Sequence, residues 1–317
     1  MDHASKKFCT LFEIKYPIIQ AGMVWTSGAN LAIASAKAGI MGVLGAGSMD
    51  LQTLEIHLKK MQNAPLSMMA VNIPLLYEKN QEQIDLCLHY KIKNFITSAG
   101  NPQNFTSYLK SKDAKIIHVV SSPKFAKKAE DAGVDAIIAE GFEAGGHNGR
   151  DEITTLCLIP QVLETVKIPV IAAGGIATGK SILAMLNLGA SAVQMGTRFL
   201  LTKESSAHEN FKALLLNSSA DSTMLMMKKY LPVRLFKNQF YKDIEKLESQ
   251  GASKEELKNY LGSGRARKGI FEGDLEQGEL EIGQIVSLIK SIHSVKEVVT
   301  QLMNEYHQAL KNQTSWE

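Results

Sequence analysis

The 317-residue chain has little of what marks a secreted or metal-stapled protein. Its three cysteines, Cys9, Cys87 and Cys157, are far apart and odd in number. No CxxC pair occurs, which argues against a disulfide framework and a cysteine zinc site and suits a reducing cytoplasm. No His-x-x-x-His or His–carboxylate cluster takes their place, so no metal is expected. Long apolar runs are missing too: nothing approaches the ~18 residues of a membrane span. The start, Met-Asp-His-Ala-Ser-Lys-Lys, leads into Phe8 without the apolar stretch of a signal peptide. Charge of one sign is also lacking. Thirty-five basic residues face 32 acidic ones, a net charge of +3, and the two signs interleave. Neither nucleic acid nor a membrane surface is implied as a partner.

What is present is ordinary globular composition, 45% hydrophobic and 21% charged. The length would allow two average domains, or one α/β barrel of ~250 residues with an addition. The first two-thirds alternate short apolar runs with longer segments of helical period. Candidate strands fall at 17–20, 42–44, 67–72, 94–98, 115–120, 136–139, 169–172 and 192–194. Candidate helices lie between them, at 29–37, 51–62, 81–89, 104–109, 123–131, 155–166 and 180–187. Strands without polar alternation are buried on both faces, as in parallel βα units. Three helix ends read alike, stopping at Gly39, Gly133 and Gly189. Eight such units close a (β/α)8 TIM barrel; a doubly wound open sheet is the competing arrangement.

After Phe199 the pattern changes. Residues 204–258 are polar, rich in Lys, Glu, Ser and Met, and read as helical. A Gly/Arg segment follows at 262–269, and 282–310 again reads as helical, with an apolar stripe through Ile285, Leu288, Ile289, Ile292, Val298, Val299 and Leu302. The expectation is a barrel core over 1–203 and a helical C-terminal extension over 204–317 that packs on it. The apolar stripe suggests a homodimer.

In a barrel, working residues sit where strands end. Here those ends are small or polar: Gln20-Ala-Gly22-Met23, Gly45-Ala-Gly47, Asn72, Ser98, Ser121, Glu140-Gly141, Gly174-Gly175 and Gly196-Thr197. Bare backbone at so many strand ends suits a flat ligand lying across the mouth. Gly174-Gly175 ahead of a helix starting near Thr178, with Gly196-Thr197 on the next strand, matches the usual barrel phosphate site. Glycine lets the backbone approach an anion, and Thr197 offers a hydroxyl; the competing reading is a tight turn. Gly45-Ala-Gly47 lacks the third glycine of a dinucleotide fingerprint and reads as a loop lining the site.

His147 follows the sixth strand within four glycines, Gly141, Gly145, Gly146 and Gly149, which suggests a mobile loop over the mouth. Imidazole titrates near neutral pH, so His147 is the candidate proton carrier rather than a solvated loop histidine. His118, inside an apolar strand, reads as a hydrogen-bonded core residue, and His208 as a surface helix start or a residue facing the site. His3, His57, His89, His293 and His307 read as surface. Met68-Met69 and Met224–Met227 read as packing, and Arg265 and Arg267 as solvated loop charge, with a phosphorylated substrate the alternative.

Together these motifs resemble the flavin-dependent family containing enoyl-acyl-carrier-protein reductase II and nitronate monooxygenase (2-nitropropane dioxygenase-like). The resemblance runs from about Tyr16 to Ser205 and more weakly to Gly283-Gln284. It rests on Pro17-Ile-Ile-Gln-Ala-Gly-Met-Val-Trp25, Val71-Asn-Ile-Pro-Leu-Leu76, Ser98-Ala-Gly-Asn-Pro102 and Glu140-Gly-Phe-Glu-Ala-Gly-Gly-His147. It implies FMN as cofactor, contacted by Gly22, Met23, Asn72, Glu140, Gly145, Gly174, Gly175, Gln194, Met195, Gly196 and Thr197, with His147 catalytic. These stretches look closer to the reductase, which implies NADH or NADPH as co-substrate and a trans-2-enoyl thioester on acyl carrier protein. Nitronate oxidation with O2 is the alternative, and a non-redox phosphate-binding barrel the second. Fold and motif alone do not choose among them.

Overall fold

A computed structural model describes residues 3–76 and 79–313. The strands in chain order are β1 (Ile18–Gln20), β2 (Gly42–Gly45), β3 (Met69–Pro74), β4 (Asn94–Ser98), β5 (Lys115–Val120), β6 (Ala136–Glu140), β7 (Gly146–His147), β8 (Val170–Ala173), β9 (Ala192–Met195), β10 (Thr223–Met226) and β11 (Val233–Phe236). Eight of them form one parallel sheet in the order β1-β9-β8-β6-β5-β4-β3-β2. Its two ends meet at a parallel bridge between Ile19 and Met41. The sheet therefore closes, and the open doubly wound alternative is excluded.

That seam has few ladder bonds, and a side chain reinforces it. Gln20, wholly buried, accepts from the Val43 N–H through Oε1 at 2.9 Å and donates from Nε2 to the Val43 carbonyl at 3.2 Å. The amide thus makes the pair of bonds that a neighbouring strand's backbone would make.

Along each strand, alternate side chains point to opposite faces, and here both faces are apolar. Ile19, Val43, Ala70, Ile96, Ile117, Ile138 and Ile171 fill the barrel interior. Ile18, Leu44, Val71, Phe95, Ile116, Ile137 and Val193 pack outward against the helices. The helix His3–Phe12 adds Phe8 and Phe12 to the interior cluster and plugs the end where the strands begin. Only the other end, where strands finish, remains for chemistry. Helices Ala29–Lys37, Pro123–Asp131 and Gly179–Asn187 lead into Gly39, Gly133 and Gly189 at positive φ, as expected.

The tail needs one correction. Residues 204–258 are not helical throughout: between helices Glu209–Leu216 and Gln239–Ser249 lies the hairpin β10–β11, and β11 also pairs antiparallel with β7. The last helix, Val295–Lys311, buries Val295, Val298, Val299, Leu302, Met303 and Tyr306 in the core of its own chain. Most of the stripe that suggested a dimer is thus used internally, while Leu288 stays exposed. Among the described residues, no helix is long and apolar enough to cross a membrane.

Candidate active site

Register decides which strand-end side chains look into the mouth. Val71, Ala139 and Val193 point outward, so Asn72, Glu140 and Gln194, each one residue further along, point inward. Met195, one step beyond Gln194, points outward again and is buried in the strand–helix layer, so it brings no side chain to the mouth. His118 likewise faces away from the interior. Its Nδ1 lies 2.7 Å from the Thr97 hydroxyl, and burial holds its pKa down to about 4.

Above these residues the first loop folds back over the strand ends. A Cβ at Gly22 would stand 2.5 Å from Asn72 Cβ, and the one at Gly196 would stand 3.3 Å from Met23 Sδ, so Gly22, Met23, Asn72 and Gly196 lie together at the mouth. Ser27 fixes the loop by accepting from the Met23 N–H at 3.0 Å and donating to the Ala21 carbonyl at 2.9 Å. Asn72 donates to the Ile96 carbonyl at 3.3 Å. Gln194 and Glu140 have no side-chain hydrogen-bond partner among the described residues, yet neither carries a sealed, unsatisfied atom. Their polar heads open on the mouth. Glu140 is partly accessible but lies deep in this concavity, and burial raises its carboxyl to about 7.

Gly174 and Gly175 follow β8 with φ of +98° and +66°, a left-handed pair that other residues adopt only under strain. The helix after them differs from the sequence reading. Thr178 and Ser181 form a capping box, and the Gly179 N–H donates to the Glu305 carboxylate at 2.8 Å. That helix N-terminus is taken by a protein anion, which leaves the backbone of Gly174–Ile176 and Gly196–Thr197 to meet a ligand. Thr197 Oγ1 accepts from the Gly283 N–H at 3.1 Å, and its own proton remains free to donate.

The loop carrying His147 is pinned rather than mobile. Gly146 and His147 pair with Arg234 and Val233 of β11. The Asn148 N–H donates to the Pro232 carbonyl at 2.9 Å, and its amide donates to Ala144 and Gly146 carbonyls. Arg234 is buried and places two donors on the Phe142 carbonyl, at 2.8 and 3.1 Å, with its guanidinium 4.4 Å from the Phe142 ring centroid. Glu143 accepts from the Thr155 N–H and hydroxyl, joining the loop to the helix Thr155–Thr165. Gly145 lies against Ile282 and Gly283 of the tail. The His147 side chain is 51% exposed, yet its concave surroundings desolvate it and lower its pKa, with the charge of Glu279 pulling the other way.

Two residues here went unnoticed in the sequence. Glu281 bridges β11 antiparallel at Leu235, and its Oε1 lies 4.0 Å from His147 Nδ1. Glu279 is buried two residues earlier with an unpartnered Oε1. Burial raises both carboxyls, and mutual repulsion adds to the shift at Glu279. The alternation Glu279-Leu280-Glu281-Ile282, with Leu280 and Ile282 buried, was the available signal of an extended segment. Three other assignments also change or sharpen. His57, expected at the surface, accepts from the Ala29 N–H at 3.0 Å. His208 caps the helix Glu209–Leu216. Arg265 is a structural clamp, donating to Tyr260, Leu261 and Gln277 carbonyls and stacking on Phe240.

Known proteins share this arrangement. The family described as nitronate monooxygenase matches residues 5–82 and 59–305. FabK from Thermotoga maritima superposes with a TM-score of 0.90 at 35% identity, over 96% of this chain and 97% of that one. A nitroalkane oxidase from Streptomyces ansochromogenes gives a TM-score of 0.82 at 26% identity, over 96% and 99%. A (3aS,4S,5R,7aS)-5-hydroxy-7a-methyl-1-oxo-octahydro-1H-indene-4-carboxyl-CoA dehydrogenase of Mycobacterium tuberculosis is 28% identical over 92% of this chain and 93% of its own. With a family match spanning most of its length and oxidoreductases among its relatives, the chain is an enzyme of the oxidoreductase class and belongs to the nitronate monooxygenase family.

Proposed function

We propose that the enzyme binds FMN across the barrel mouth and uses NADH or NADPH to reduce the double bond of a trans-2-enoyl thioester, with His147 handling the proton. The residues present fit the cofactor. The backbone around Gly174-Gly175 and Gly196-Thr197 suits its phosphate, Gly22 and Gly196 leave room for a flat ring, and Asn72, Gln194 and Glu140 offer polar heads. Bound FMN would supply hydride transfer; the protein positions it and manages charge. Partly accessible on its pinned loop, His147 stands where it can deliver a proton to the substrate α-carbon or orient the thioester carbonyl.

The observation that carries this choice of substrate is the pair Glu279 and Glu281 beside His147. Burial keeps both carboxyls only partly ionised near neutral pH, and the ionised fraction repels an anionic nitronate while leaving a neutral thioester unaffected. The name of one relative, a carboxyl-CoA dehydrogenase, carries a thioester and supports the same reading. The test is anaerobic: NADH or NADPH should bleach the bound flavin, and crotonyl thioester should restore its colour. Bleaching by an alkyl nitronate alone would assign the enzyme to nitronate oxidation instead, and protein that takes up no FMN would mean a non-redox barrel. In the same assay His147→Ala should keep flavin and lose roughly 10² to 10⁴ in turnover.

A further inference from the structure

We propose that Glu281 is the positioning residue of His147: it holds the proton on Nδ1 and leaves Nε2 for the substrate, with Glu279 behind it modulating its charge. This rests on the proton-handling role of His147 argued above and extends it to a part of the chain which that role did not use.

The geometry starts at Gly146. Its φ of +79° turns the backbone, and a Cβ there would lie 2.7 Å from Glu281 Oε2. Only a bare α-carbon lets the carboxylate lie flat against the loop. One oxygen of Glu281 therefore rests on Gly146 while the other stands 4.0 Å from His147 Nδ1. That separation is within ion-pair range and longer than a hydrogen bond, as catalytic contacts commonly are before substrate closes the site.

The carboxylate cannot easily move away. Its backbone bridges Leu235 of β11, and the Phe236 N–H donates to the Leu280 carbonyl at 2.8 Å. Beyond it, the Gln284 N–H donates to the Glu143 carbonyl at 3.0 Å. The tail segment and the histidine loop thus share β11 as a common ruler. Positions 279 and 281 are two apart in extended chain, so their side chains fall on one side of it. Other charged groups around this cluster are Arg234 on β11, Arg265 beyond the tail segment, and Glu143 on the histidine's own loop. Arg234 is committed to Phe142 and Arg265 to backbone carbonyls. Neither neutralises Glu281 directly.

An imidazole whose Nδ1 proton is held by a carboxylate presents a bare Nε2 and becomes a stronger base there, which sets both tautomer and protonation at working pH. The test reads the ring itself, in protein labelled with ¹⁵N-histidine, independently of turnover. In the wild type, the neutral His147 ring should show the Nδ1–H tautomer. Glu279→Gln should lower the His147 pKa, because its charge is the one that raises it, and Glu281→Gln should release the Nδ1 proton and let the Nε2–H tautomer appear. In kinetics, Glu281→Gln should reduce kcat with KM little changed. An Nε2–H tautomer in the wild type overturns the proposal, and so does an unchanged tautomer in a folded Glu281→Gln variant. If the ring behaves as stated but enoyl thioesters are not reduced, the substrate reading fails and the positioning role stands.

Discussion

Glu140 ends β6 pointing into the barrel mouth without a partner, and this gives the folded protein a specific pH dependence. Its carboxyl is raised from 4.5 to about 7 by burial. The folded state therefore holds the proton more tightly than the unfolded chain does. That contribution to stability is fully present below about pH 4.5 and is lost as pH rises through about 7. His118 works in the opposite window: its pKa is depressed, so its contribution is present above 6.5 and lost as pH falls through about 4. Glu140→Gln should therefore melt near the wild-type temperature at about pH 5 and above it at about pH 8. Melting curves of the flavin-free protein at both values decide it; an equal offset at both would mean that Glu140 does not titrate in this range.

At the scale of elements, β11 matters most, because it links the histidine loop, the tail acids and the hairpin. Arg234 sits at its centre, and truncation would strip two donors from the buried Phe142 carbonyl. Arg234→Met keeps the apolar stem but leaves that acceptor unsatisfied, a cost of about 1–3 kcal/mol. Urea unfolding should show that loss, and turnover should fall because His147 is no longer held by a fixed strand. A variant as stable and as active as the wild type would remove Arg234 from this role.

The same strand explains how far the sequence could be read. The barrel strands were evident because parallel strands buried on both faces leave unbroken Ile/Val/Ala runs ending in glycine, as at Ile116–Val120 and Val170–Ala173. Asn72 and Glu140 were legible as strand ends, and Gln194 through the family resemblance; their inward direction needed the register of the folded strands. The hairpin was not evident: Thr-Met-Leu-Met at 223–226 and Val-Arg-Leu-Phe at 233–236 are short, lack a Gly-containing turn, and pack on Phe240 and Ile244 of the following helix while β11 alone pairs with β7. Arg234 in particular looks like a solvated charge until Phe142, ninety-two residues earlier in the chain, folds against it. Glu281 was hidden for a like reason, since its meaning depends on a glycine 135 residues away. Strand texture is local, whereas the acid pair and its arginine neighbour are products of closure.

Across the whole molecule, stability and chemistry occupy opposite ends of one barrel. At the closed end, Phe8 and Phe12 of the first helix meet in a tilted contact with centroids 4.9 Å apart and join Ile14 in the interior cluster, all far in register from the strand ends that carry the site. This end was not expected to be helical, because His3–Phe12 carries Lys6 and Lys7 and only one narrow apolar face. Once seated, that face closes an interior that would otherwise admit water between Ile19, Ile96, Ile138 and Ile171. Phe12→Ala should therefore open a cavity and cost about 3–5 kcal/mol of stability. Because packing at the closed end touches neither the glycine loops nor His147, the folded fraction should keep its kcat/KM and its flavin. Denaturant unfolding and kinetics on the same preparation separate the two quantities. A variant that unfolds normally but loses turnover would show that the plug is coupled through the barrel interior to the mouth, and the division of labour between the two ends would have to be abandoned.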